Sequence, residues 1–177
     1  LNTSMGINNG DTLIKNWSGT PRDARHIIKA YNPDRILARE NSKYHCYSCG
    51  FGCGGVIDIH DIKDGAFLHT HKPEYETIGA FGPLLLNGDL ESILYINELL
   101  NRGGMDSISA GNTIAFAIEC FERGLITIKQ TDGLELTWGN SDAIIALVKK
   151  MILREGIGDI LADGVKRASL YFGENTV

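Results

Sequence analysis

The chain has 177 residues, is 43% apolar and carries a formal net charge of −5. That is enough to build a packed core, and no basic stripe marks a nucleic-acid partner. No apolar run reaches membrane-spanning length and no signal peptide is expected, while four cysteines, three of them clustered, read as metal ligands in a reducing, cytoplasmic compartment.

The chain opens on Leu1 without Met, which suggests a fragment or a processed chain. Residues 1–24 are polar and rich in Gly and Asn, and are predicted to be extended loop anchored by Trp17. Asp23 to Tyr31 has the pattern of a short helix, stopped at Asn32-Pro33 because the residue before proline disfavours the α conformation. Arg35 to Lys43 is charged and shows no clear period. Residues 1–43 are therefore read as a loop-rich N-terminal segment.

Cys46, Cys49 and Cys53 follow, spaced C-x2-C-x3-C among Gly50, Gly52, Gly54 and Gly55. Glycines let the backbone fold tightly around a centre and aim N–H groups at it. Two chemistries fit: an iron–sulfur cluster whose fourth thiolate comes from elsewhere, or a structural zinc completed by His45, His60 or Cys120. Cys120, alone in an apolar helix, reads as core.

Val56 to Ile62 alternates apolar and polar, the period of a strand. Asp64-Gly65 is a turn signal, and Ala66 to His69 would return as the second strand of a hairpin. Thr70 to Pro83 holds titratable groups, an aromatic and glycines without a clean period, a composition suited to a functional loop. From Asp89 the pattern becomes helical, with Asp89 as N-cap and Gly103-Gly104 as the stop. A second helix is predicted from Gly111 to Arg123. Gly133 to Gly139 alternates and is predicted to be a short strand. Asn140 or Ser141 caps a third helix, Asp142 to Arg154, and a fourth runs from Asp159 to Phe172. With no βαβ alternation, the expected fold is mainly α: a multihelical domain with a small β-hairpin after the cysteine loop. Residues 44–139 carry the cysteine loop and the elements that follow it, and 140–177 continue the helices.

Several stretches together resemble the tungsten-containing aldehyde ferredoxin oxidoreductases. They include Asn16-Trp17, the cysteine loop, Pro73-Glu74-Tyr75-Glu76-Thr77, Gly104-Met105-Asp106-Ser107-Ile108-Ser109 and Arg154 to Val165, in the family's order. The resemblance implies most of the family's middle helical domain, with residues 44–139 as its cluster- and pterin-binding part, and the start of its last one. It implies a [4Fe–4S] cluster held by Cys46, Cys49 and Cys53, with the fourth cysteine in the remainder of the polypeptide. It also implies a tungsten (or molybdenum) bis-pterin.

Asn101 to Asp106 falls on the family's D-x-x-G-L-(D/C) pterin motif. It keeps Gly104 and Asp106, and departs from the motif at Asn101 and Met105. The Asn101 amide oxygen can still accept a hydrogen bond. Glu76 matches the family's carboxylate beside the metal, and Tyr75 lines the same pocket. Ile78, Ala80 and Phe81 predict that Glu76 is partly buried. His71 is a weaker candidate for proton transfer. The implied reaction is oxidation of an aldehyde to an acid, with electrons passed through the cluster to ferredoxin. A homodimer is allowed, but the family's interface metal is not carried over, because the chain has no Glu-x-x-His. Two other readings stand beside this one. The same scaffold could act on another substrate, a sugar-phosphate aldehyde or the ring of an aryl-CoA. Or the chain could be a non-enzymatic zinc or iron–sulfur module.

Overall fold

The structure, a computed structural model, describes residues 3–59 and 69–173. Its first helix, α1 (Thr3–Asn9), lies where composition predicted loop. Thr, Asn and Gly are weak helix formers. Tertiary packing overrides them here, with Thr3, Gly6 and Ile7 buried. Trp17 does not anchor this region: it is 68% exposed, while Ile7, Ile14 and Ala24 enter the core. The helix predicted from Asp23 forms only as a 3-10 turn, Ile28–Tyr31. Asn32-Pro33 starts a helix instead of ending one. Asn32 Oδ1 accepts the Asp34 N–H at 3.0 Å, and Pro33 occupies the first turn of α2 (Pro33–Leu37), where its missing N–H costs nothing.

Three short strands follow: β1 (Glu40–Tyr44), β2 (Gly54–Asp58) and β3 (His69–His71). They form one antiparallel sheet in the order β1-β2-β3. The predicted hairpin is present as β2 and β3, with Ile57 opposite Thr70 and Asp58 opposite His69. Its predicted turn, and the strand residues from His60 to Leu68, lie outside the described residues. β1 was hidden by its charges. Glu40 answers them across the sheet, with its carboxylate 2.6 Å from Lys72 Nζ and 2.9 Å from Lys43 Nζ. The cysteine loop joins β1 to β2.

The remaining described elements are helical: α3 (Tyr75–Phe81), a 3-10 turn at Pro83–Leu85, α4 (Leu90–Gly103), α5 (Ser107–Glu122), α6 (Ser141–Leu153), α7 (Ile157–Ala162) and α8 (Val165–Phe172). The fold is thus mainly α with a small antiparallel sheet, as the pattern predicted. α4 is central. Ser92 to Glu98 are buried without a break, the signature of a helix enclosed on all sides. Asp89 accepts the Glu91 and Ser92 N–H groups at its start, and Gly104 ends it at φ 64.

α5 begins four residues before the predicted start, because Asp106 caps it by accepting the Ser109 N–H at 2.7 Å. Residues 133–139 do not form a strand. The Gly139 N–H binds the Leu85 carbonyl at 2.8 Å, and among the described residues no strand pairs with this segment. The last predicted helix is two, broken at Gly164, φ 87. Gly111 and Gly158 are contact points. A Cβ at Gly111 would come 2.8 Å from the Ala80 carbonyl oxygen, so its absence lets α5 lie on α3. A Cβ at Gly158 would strike the Lys150 backbone, so α7 lies as closely on α6.

Candidate active site

The structure arranges the candidate residues in four places. In the first, Cys46, Cys49 and Cys53 share one exposed loop, with Cys49 half-buried. The Cys49 N–H donates to the Cys46 carbonyl at 3.0 Å, closing a turn. Ser48 and Gly52 take left-handed conformations, φ 57 and 60. A Cβ at Gly52 would meet only the exposed His45 ring, which can move aside, so it is the left-handed φ that favours glycine there. Among the described residues, no group of three His, Cys, Asp or Glu side chains is placed to hold one metal ion. A cluster makes a different demand, since each thiolate binds its own iron. Three thiols on one glycine-rich loop fit that donor set. Cys120 cannot complete it: it is buried in α5, and burial pushes its thiol up to about 11.

Tyr44, which the sequence did not single out, sits at the root of this loop. Its ring packs over Gly54, where a Cβ would be 2.6 Å from Tyr44 Cε2, and lies 4.8 Å from the His71 ring. Burial, and then the negative fields of Glu74, Cys46 and Cys53, push its phenol up. The loop and the start of the Glu74-Tyr75-Glu76 segment therefore flank one half-buried ring.

The second place is the first turn of α3. Tyr75 and Glu76 line a pocket of about 160 Å³ with Asp11, Thr12, Leu13, Ala80, Leu84, Ile108 and Asn112. Glu76 is exposed, which corrects the expectation of partial burial. Thr77, Ile78, Ala80 and Phe81 take the buried arc of α3, and Glu76 falls at its edge. Its carboxylate is thus free to face a bound molecule.

The third place is the start of α5. Gly104, Met105 and Asp106 line a cavity of about 300 Å³ with Ser109, Ala110, Thr113, Met151, Leu161 and Ala162. Capping by the Ser109 backbone N–H, then by its side chain, holds the Asp106 carboxyl below its ordinary range. An ionised carboxylate has further lone pairs, enough to accept a pterin N–H as well. Asn101 does not share this cavity. It lines another, the fourth place, of about 380 Å³, with Val56, His69, Thr70, His71, Glu98 and Arg102. There buried Glu98 accepts from Thr70 Oγ1 at 2.5 Å. His69 Nδ1 is 2.5 Å from Asp58 Oδ1.

A hydrogen bond of 2.7 Å between the Thr77 and Ser107 hydroxyls joins the second and third places. Each hydroxyl is one residue from a candidate, Glu76 on α3 and Asp106 on α5. The candidate base and the candidate pterin contact are therefore carried on two helix starts fastened to each other.

The chain matches the family profile "Aldehyde ferredoxin oxidoreductase, domains 2 & 3" over residues 2–177. A tungsten-containing aldehyde ferredoxin oxidoreductase of Pyrococcus furiosus is 36% identical over 129 residues, covering 72% of this chain and 20% of that protein. Its counterpart from Pyrococcus horikoshii is 38% identical over 130 residues, covering 72% and 21%. An aliphatic sulfonate oxidoreductase, WOR-like subunit, of Pyrococcus furiosus is 32% identical over 174 residues, covering 97% and 27%. Among solved structures, the active-site complex BamBC of benzoyl coenzyme A reductase, in complex with 1,5 dienoyl-CoA, is similar with a TM-score of 0.70 at 26% identity, over 85% of this chain and 22% of that one. The chain spans between 20% and 27% of the length of these curated relatives. With the profile matched from residue 2 to residue 177, the chain belongs to the aldehyde ferredoxin oxidoreductase family.

Proposed function

We propose that these residues are part of a tungstopterin oxidoreductase that oxidises aldehydes to carboxylic acids and passes the electrons through a [4Fe–4S] cluster to ferredoxin. The observation that carries this reading is the Thr77–Ser107 hydrogen bond, which fastens the turn of Glu76 to the turn of Asp106. Cys46, Cys49 and Cys53 would hold the cluster, with a fourth thiolate from the rest of the polypeptide. Gly104, Met105 and Asp106 would meet one pterin from the cavity they share, while Asn101 lines a separate one. When bound, the tungsten centre supplies a two-electron acceptor and a place for water to be activated.

The balance is R-CHO plus water giving R-COOH, two protons and two electrons. Glu76 takes a proton as the oxygen adds, the role of a general base. Tyr75 and the apolar floor of the pocket hold the aldehyde's side group. His71, one ring contact from Tyr44, is a lesser candidate for relaying a proton outward. Residues 1–43 serve as the loop-rich lead-in, 44–139 as the cofactor-bearing part and 140–177 as its helical continuation. No described helix is long and apolar enough to cross a membrane. We place the enzyme in the cytoplasm, where thiolate ligands persist.

Glu76→Gln in the complete, cofactor-loaded polypeptide tests the reading. Aldehyde oxidation should fall at least about 100-fold, with iron and tungsten content unchanged. Turnover equal to wild type would refute it. A second reading keeps the scaffold and changes the substrate, and is favoured by the likeness to a benzoyl-CoA reductase complex and to a sulfonate oxidoreductase subunit. Assaying aldehydes against an aryl-CoA thioester and an alkyl sulfonate, with a low-potential viologen, separates the two.

A further inference from the structure

We propose that Thr12 determines the specificity of the pocket beside Glu76, by fixing Tyr75 so that only a small apolar side group fits. The inference deepens the aldehyde reading above and rests on it. Thr12 Oγ1 lies 3.1 Å from Tyr75 Oη, a contact between groups 63 positions apart. Gly6 of α1 packs beneath the pair. A Cβ there would strike Thr12 Oγ1 and stand 3.0 Å from Tyr75 Oη. The Asp11 N–H donates to the Gly6 carbonyl at 2.8 Å, closing the turn that presents Thr12. α1 thus sets one wall of a pocket whose chemistry is carried by α3.

Tyr75 and Thr12 line a recess of about 160 Å³ whose floor is Leu13, Ala80, Leu84 and Ile108. An apolar cavity of about 150 Å³ takes up benzene, so the recess suits a group of that size. An aromatic side chain changes χ1 between staggered wells, and that change swings its outer end. The hydroxyl contact with Thr12 removes that freedom at one end. Without it the phenol can swing aside and lengthen the recess.

The test uses the complete polypeptide loaded with its cofactors, and compares kcat/KM for benzaldehyde and 2-naphthaldehyde. Wild type should prefer benzaldehyde about tenfold or more. Thr12→Val keeps the shape and removes the hydroxyl, and should bring the ratio to within about threefold, chiefly through a lower KM for the larger aldehyde. Thr12→Ser should keep the wild-type ratio. Tyr75→Phe should match Thr12→Val, and the double variant should change the ratio no further, because both remove one contact. A ratio cancels differences in the amount of folded, loaded enzyme. A ratio unmoved by Thr12→Val, or effects that simply add in the double variant, would overturn the proposal. Wild type oxidising neither aldehyde would overturn the aldehyde reading, and this inference with it.

Discussion

Gly111 and Gly79 are both helical glycines, yet the same substitution should have opposite effects at the two. A Cβ at Gly111 would come 2.7 Å from Ala80 Cβ, 2.8 Å from the Ala80 carbonyl oxygen and 3.1 Å from its carbonyl carbon. Backbone cannot move aside as a flexible side chain can, so α5 must shift from α3. Overpacking costs about 1–3 kcal/mol, and two contacts under 3.0 Å, one of them with backbone, put it at about 2–3 kcal/mol here, against about 1 kcal/mol gained from replacing a helical glycine by alanine. Gly111→Ala should therefore lose about 1–2 kcal/mol. At Gly79 a Cβ meets nothing within 4 Å, and Gly79→Ala should gain about 0.5–1 kcal/mol.

Native-state hydrogen exchange of the complete polypeptide, read on peptides from α3 and α5, measures both. Protection should fall about 5- to 30-fold for Gly111→Ala and rise about two- to fivefold for Gly79→Ala. Because Ser107 and Thr77 fasten the same two helices, Gly111→Ala should also weaken aldehyde turnover. Equal or higher protection in Gly111→Ala would refute the close-packing argument.

Asp106→Ala should cost the start of α5 about 1 kcal/mol through the lost cap, seen as faster exchange at Ile108 and Ser109. The Asp106 carboxyl is held below its ordinary value of 3.8, so its contribution is complete above that value and is lost as pH falls through the lower folded one. An acid titration of the same amides should follow that course. Cys46→Ser, Cys49→Ser and Cys53→Ser should each remove iron, labile sulfide and visible absorbance, whereas Cys120→Ser should leave all three in place. Thr77→Val should reduce turnover without changing iron content, because it cuts the link between α3 and α5 while leaving the cysteine loop intact.

The parts of the fold with local signals were legible. Asp89 and Gly103-Gly104 bounded α4 correctly, because a cap and a left-handed stop are written in single residues. Asn140 marked α6 in the same way, accepting the Ala143 N–H at 3.2 Å. The misses came where tertiary contacts decide. α1 has no helical composition and exists because Ile7 and Gly6 are buried. β1 reads as a charged loop until Glu40 meets Lys72, which follows the strand at the other edge of the sheet. Residues 133–139 have strand alternation, but Leu136 is buried by packing and their backbone is spent on turns and on Leu85.

At the site, the residue types were legible and their grouping was not. Gly104, Met105 and Asp106 line one cavity, but Asn101, in the same motif, faces another. α4 stops at Gly103 and the left-handed Gly104 turns the chain away, so residues three to five apart lose the shared face a continuing helix would give them. Tyr44 and Thr12 gave no signal, since each matters only through a distant partner, His71 and Tyr75.

Iron, zinc and acid-labile sulfide assayed together on the purified complete polypeptide, wild type and Cys49→Ser, probe the cysteine loop most directly. The account predicts iron and labile sulfide in equal amounts in wild type, and loss of both in the variant. Zinc without labile sulfide in wild type would contradict it.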